Sequence, residues 1–175
     1  MRPALLLHQE GALGVVAIVG LAWRDGLSLE GLSPVASTWM SVAYGLLGGV
    51  ASCLVLFSLR RLPPLRRLER FQHRLVREWS MVDAVSVALF SGLAEEALVR
   101  ALLQPVVGLL PAALLFSLLH VVPDRRLWMW PAVALILGVV LGALFELGGY
   151  PAAAAAHVVI NLFALVRLRS LDDDP

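Results

Sequence analysis

The chain has 175 residues, 59% hydrophobic and 15% charged, with a formal net charge of +1 and a mean hydropathy of +0.83. Soluble domains carry roughly 25% charged residues, and a water-soluble chain of this length could not hide so much apolar surface, so an all-α, polytopic integral membrane helical bundle is expected. The small net charge argues against a nucleic-acid partner, and the single cysteine, Cys53, excludes an internal disulfide or a thiolate metal cluster.

About six apolar runs of spanning length follow one another, separated by turn signals. The first, about 4–23, is interrupted by His8, Gln9 and Glu10, and without a small-residue cleavage site it reads as a span and not a signal peptide. The second, about 36–59, carries Gly45, Gly48 and Gly49, which suit close helix packing. Between Arg60 and Arg77 the pattern changes: seven arginines (60, 61, 66, 67, 70, 74, 77) alternate with apolar residues after a break at Pro63-Pro64. This reads as an amphipathic helix lying on an anionic membrane surface. The third span, about 82–104, ends at Pro105, and Asp83 caps its start or meets an arginine of the preceding loop. The fourth, about 108–122, is short and bounded by Pro123. The fifth is about 127–147, with Trp128 and Trp130 as an interfacial belt. The sixth, about 151–168, opens on Pro151, a good first-turn residue. Glu10 and Glu146 fall near span ends and read as interfacial. The acidic tail, 171–175, reads as disordered.

All fourteen basic residues are arginine. With both termini inside, twelve of them face the cytoplasm, Arg24 alone lies outside and Arg100 is in the membrane, as the positive-inside rule requires of a cell-membrane protein. No internal repeat is present, which disfavours an inverted-repeat transporter.

Glu95, Glu96 and Arg100 fall inside the third span. A charge at bilayer depth costs roughly 2.5–3.5 kcal/mol on insertion scales, so a cluster of three calls for a function. Glu96 and Arg100, four apart, share a helix face and can pair. Glu95, about 100° round the helix, is left over as a candidate general base. On the fourth span Phe116 sits one turn before His120, able to wall the site or hold the imidazole, and His120 can help Glu95 deprotonate a water. On the sixth, His157 and Asn161 offer two donors toward one point, as a developing oxyanion needs. Counting 1.5 Å per residue leaves His120 much shallower than Glu95, so the fourth helix is expected to be displaced inward, tilted or broken at its ends. Each residue also has a structural reading: a buried salt-bridge cluster, interhelical hydrogen bonds from the histidines, amide glue at Asn161.

EEALVR, FSLLH and HVVIN, in that order on three spans, match the EExxxR, FxxxH and HxxxN motifs of the CPBP (CAAX protease and bacteriocin-processing, or Abi) intramembrane endopeptidases, which the chain resembles over about 81–165. The resemblance implies one membrane domain, 1–175, with its catalytic core at 81–165, and a peptidase acting near the C-terminus of lipidated or membrane-anchored proteins. Carried over, Glu95 and His120 activate water, His157 and Asn161 stabilise the oxyanion, and Glu96, Arg100 and Phe116 support them. In its small size and its arginine-rich, lysine-free composition the chain resembles the myxosortase-like branch. Glu95, His120 and His157 also match the ligand count of many hydrolytic zinc sites. No HExxH pair supports zinc and a glutamate mechanism needs no ion, so no cofactor is expected. The alternatives are a proton- or ion-coupled transporter, because carboxylate–histidine chains also relay protons, and a non-catalytic immunity or assembly protein.

Overall fold

The computed structural model describes residues 2–171, so the expectation of disorder for the acidic run at 172–174 lies outside the described residues. The described residues form eight α-helices: α1 (Pro3–Asp25), α2 (Thr38–Leu59), α3 (Pro63–Val76), α4 (Met81–Glu96), α5 (Gln104–Val107), α6 (Leu109–Leu118), α7 (Met129–Gly148) and α8 (Tyr150–Arg169). The described residues form no strand, only an isolated bridge from Pro34 to Gly149. Helices α1, α2, α7 and α8 are each long and apolar enough to cross a membrane. The protein is a polytopic helical bundle.

Its surface is inverted relative to a water-soluble fold. Trp23, Leu27 and Trp39 are 92%, 94% and 85% exposed, while Glu96, Arg100 and His157 are buried. Lipid tails do not push apolar side chains inward, so close backbone approach takes over the packing. A Cβ on Gly45 would strike the carbonyl oxygen of Ala152, and one on Gly49 would come within 2.9 Å of that of Ala156. These small residues draw α2 against α8. Gly92 does the same between α4 and α8, because a Cβ there would lie 2.9 Å from the backbone nitrogen of Val158.

Helix α4 starts on a capping box. Ser80 Oγ accepts from the Asp83 backbone N–H at 3.0 Å, and the Asp83 carboxylate accepts from the Ser80 N–H at 2.9 Å. The cap reading of Asp83 therefore prevails over pairing with a loop arginine. From Met81 the chain stays helical to Val107, through a π-helical stretch at Ala97–Leu103. The expected end at Pro105 is corrected: the chain stays helical through it, and the Ala101 carbonyl, which a residue-105 N–H would meet in an α-helix, accepts from Arg24 Nη1 instead at 2.8 Å. The chain turns instead at Gly108, whose φ of 87° is a conformation glycine adopts without strain. Helix α6 has only ten residues and stops at Leu118, so that His120 sits on the turn beyond it and not inside a span reaching 122.

Helix α3 turns Leu68, His73 and Val76 inward and leaves Arg66, Arg67, Arg70 and Arg74 exposed. It is tied to the end of α8 by a hydrogen bond between His73 Nδ1 and the Leu168 carbonyl (2.7 Å) and by an ion pair from Arg167 to Glu69. Trp128 is exposed, as an interfacial residue would be. The Trp130 ring packs edge-on against Phe71 and lies 6.1 Å from the His120 ring.

Candidate active site

Glu96 organises the centre. Arg100 Nε donates to its Oε2 at 3.1 Å and His157 Nδ1 donates to its Oε1 at 2.8 Å. Glu96 and Arg100 are both 0% exposed, and a buried charge in such a place is tolerable only when paired. The polar chain continues along the same helix face. Arg100 Nη1 donates to Gln104 Oε1 (3.4 Å), and Gln104 Nε2 donates to the Gly142 carbonyl (3.1 Å) and to Glu146 (3.4 Å). Glu146 is thus exposed at the outer edge of this chain.

A carboxylate only accepts, so the His157 bond to Glu96 requires a proton on Nδ1. Nε2 is left for whatever enters the cavity beside it. One turn on, Asn161 Nδ2 donates to Ser91 Oγ at 2.8 Å, and Ser91 in turn donates to the Val87 carbonyl at 2.7 Å. This holds the amide in one orientation and leaves its second N–H and its oxygen free of that bond. His120 Nδ1 bonds the Phe116 carbonyl at 2.9 Å. The Phe116 ring stands between the two imidazoles, its centroid 4.8 Å from His120 and 5.5 Å from His157, with the Arg100 guanidinium 5.2 Å away.

Phe116, His120, His157 and Asn161 line one cavity of about 200 Å³, whose walls include Leu137 and Ile160 and which extends to Arg60, Glu69 and Arg167 at the helix ends. Glu95 is not among its lining residues. Its Oε2 is buried without a hydrogen-bond partner, and its carboxylate is in electrostatic contact with His157, Glu10, His120 and Glu96. The sequence-derived set therefore gathers in one region: two imidazoles and an amide on the cavity, Glu96 and Arg100 behind His157, and Glu95 beside them.

A family model, type II CAAX prenyl endopeptidase Rce1-like, matches residues 77–163. Through that segment the chain belongs to the Rce1-like family. The match runs from the end of the arginine-rich helix to just past Asn161, and so spans all three motifs and the whole polar centre. The protein is accordingly a CAAX-type intramembrane endopeptidase. No curated protein and no solved structure matches the chain.

Four side chains of the endopeptidase belong to this region without having been singled out for it. Gln104 continues the 96–100–104 stripe at helical spacing, a signal the sequence carries. Ser91, the partner of Asn161, is one turn before Glu95 but reads as an ordinary small residue. Trp130 reads as a belt residue because its neighbour Trp128 does. Glu10, expected at an interface, is buried. Among the described residues no three His, Cys, Asp or Glu side chains are grouped as a metal ion would need.

Proposed function

We propose that the endopeptidase hydrolyses a peptide bond near the C-terminus of a lipidated or membrane-anchored protein with a water activated by Glu95 and His120. The observation that carries this reading is the seating of His157: Glu96 and Arg100 fix its Nδ1 side, and its ring, Asn161 and His120 border one cavity. Glu95 takes a proton from the water while His120, held through the Phe116 carbonyl, orients it. The hydroxide adds to the scissile carbonyl carbon, and negative charge moves onto the carbonyl oxygen. His157 Nε2–H and the free N–H of Asn161 stabilise that oxyanion. Because Nδ1 already holds one proton, His157 donates from Nε2 as an imidazolium, whose charge the Glu96 carboxylate offsets. The proton held by Glu95 then passes to the leaving amine nitrogen as the C–N bond breaks. One oxyanion donor contributes about 3–4 kcal/mol to such a transition state. Glu95 is preferred over Glu96 as the base because both Glu96 oxygens are already engaged.

The amphipathic helix α3 is read as resting on anionic lipid at the cytoplasmic face of the cell membrane, with both termini on that side. The reaction as written needs no metal.

The test is release of the C-terminal tripeptide from a farnesylated peptide by purified protein, together with C-terminal proteomics of cells carrying the parent or Glu95→Gln. Glu95→Gln is nearly isosteric and is expected to abolish release while leaving the melting temperature within a few degrees. Release that survives in Glu95→Gln discards the glutamate mechanism. Stoichiometric zinc with chelator-sensitive activity replaces it with a metal-dependent one.

A further inference from the structure

Helix α1 turns one stripe inward, Glu10, Ala17 and Leu21, with Gly14 at the same helical spacing between them. This stripe is the seam with α4. A Cβ on Gly14 would meet that of Ala94 at 3.6 Å, and one on Gly20 would meet the Leu102 side chain. Residue numbers rise together on the two helices, so α1 and α4 run parallel and Glu10 enters the bundle one turn before the level of Ala94 and Glu95. An apolar residue would serve packing better in that stripe. Instead Glu10 is 8% exposed, and its Oε2 is buried without a hydrogen-bond partner.

Among the described residues, four buried side-chain polar atoms lack a partner, and two of these are carboxylate oxygens: Glu10 Oε2 and Glu95 Oε2. The two carboxylates are in electrostatic contact with each other and each with His157. A buried oxygen that finds no protein donor is satisfied by ordered water. An ionisable residue inside a membrane bundle that pairs with nothing else marks function before packing.

We propose that Glu10 is a positioning residue of the hydrolytic centre, its free carboxylate oxygen and that of Glu95 holding the reacting water between them across the α1–α4 seam. This rests on the reading of Glu95 as the base. The charged groups that interact with Glu10 are Glu95 at the end of α4 and His157 on α8. Arg24, Asp25 and Glu30 lie at the far end of α1, and His8 turns back to the Ala4 carbonyl. Arg100 Nε and His157 Nδ1 both donate to Glu96, and two further carboxylates buried close together carry one negative charge between them more cheaply than two. Glu10 then supplies the O–H that fixes the water, and Glu95 the carboxylate that takes its proton.

The experiment compares full-length parent, Glu10→Gln, Glu10→Leu and Glu95→Gln on the farnesylated peptide, with melting temperature, kcat, KM and pH–rate profile read for each. Glu10→Leu is expected to lower kcat by more than about tenfold, a loss of water orientation, with KM within about threefold and the melting temperature unchanged or raised. Glu10→Gln keeps the shape and the donor of a protonated acid without its ionisation. It is expected to retain more activity than Glu10→Leu and to lose one ionisation from the pH–rate profile. A kcat loss of about tenfold or less in Glu10→Leu, or a loss confined to KM, overturns the proposal. Where Glu10→Leu melts lower, Glu10→Gln decides: a pH–rate profile with every parental ionisation still present overturns it. An active Glu95→Gln would discard the underlying mechanism, whereas an inactive Glu95→Gln beside fully active Glu10 variants discards the role of Glu10 alone.

Discussion

Glu96 serves two partners at once, and that dual role makes its substitution informative. Removing it strands a fully buried guanidinium and frees His157 Nδ1 together. Breaking a buried pair by deleting one member costs about 3–5 kcal/mol, so Glu96→Ala is expected to unfold markedly earlier in detergent titrations, with activity lost. Glu96→Gln keeps an acceptor for Arg100 but cannot offset an imidazolium. It is expected to retain most of the stability while kcat falls by about 10²-fold, as loss of an oxyanion donor would. Equal activity in Glu96→Gln and the parent would separate His157 from the oxyanion. Four-residue spacings made the Glu96–Arg100 pair legible in the sequence, because helical geometry alone brings such residues together. The bonds from Glu96 to His157 and from Asn161 to Ser91 span 61 and 70 residues. No local periodicity reports on them.

At the scale of elements, the helix carrying Glu95, Glu96 and Arg100 is the one that departs most from regular geometry. The EExxxR motif straddles its change from α to π winding, a feature frequent at functional sites. The neighbouring α8 is set by contact: Gly92 bears on Val158, the residue after His157. Gly92→Ala is expected to push α8 outward and to lower kcat by about tenfold or more, since misplacement on the ångström scale is that costly. Unchanged turnover would show that α4 yields without moving His157. The start of α4 depends on pH. Hydrogen bonds from the Ser80 hydroxyl and backbone hold the Asp83 carboxyl below its ordinary value. A carboxyl so shifted stabilises the fold above its unfolded value of about 3.9, and the contribution is lost as pH falls through the lower folded value. Amide exchange in the first turn of α4 should therefore quicken below about pH 4 in the parent, and Asp83→Asn should remove that dependence. In the sequence Asp83 reads as a cap or as a partner for a loop arginine, and its bonds to the Ser80 N–H and hydroxyl decide for the cap. The sequence did not announce the π turn, whose hydrogen-bond shift has no composition of its own, and so Pro105 read as a helix end.

For the whole molecule, the arginines of α3 make the relation to the bilayer testable. Arg66, Arg67, Arg70 and Arg74 are exposed on one helix whose apolar side packs on the bundle. Each basic residue near an anionic surface contributes about 1 kcal/mol. Melting temperature in nanodiscs is therefore expected to rise with phosphatidylserine content and to fall with salt, and replacing these four arginines by glutamine should abolish both trends. A parent insensitive to anionic lipid would assign α3 to bundle packing alone. The amino-acid sequence by itself determined the membrane class, the helical fold, the family and the motif residues, because hydropathy and helical spacing are local and survive without coordinates. Only the tertiary structure decided that His157 hangs on Glu96, that Asn161 is braced by Ser91, that Trp130 turns toward His120 and that Glu10 is buried beside Glu95. Those contacts arise from which helices approach which, and in lipid that is settled by small residues meeting across helices far apart in the chain.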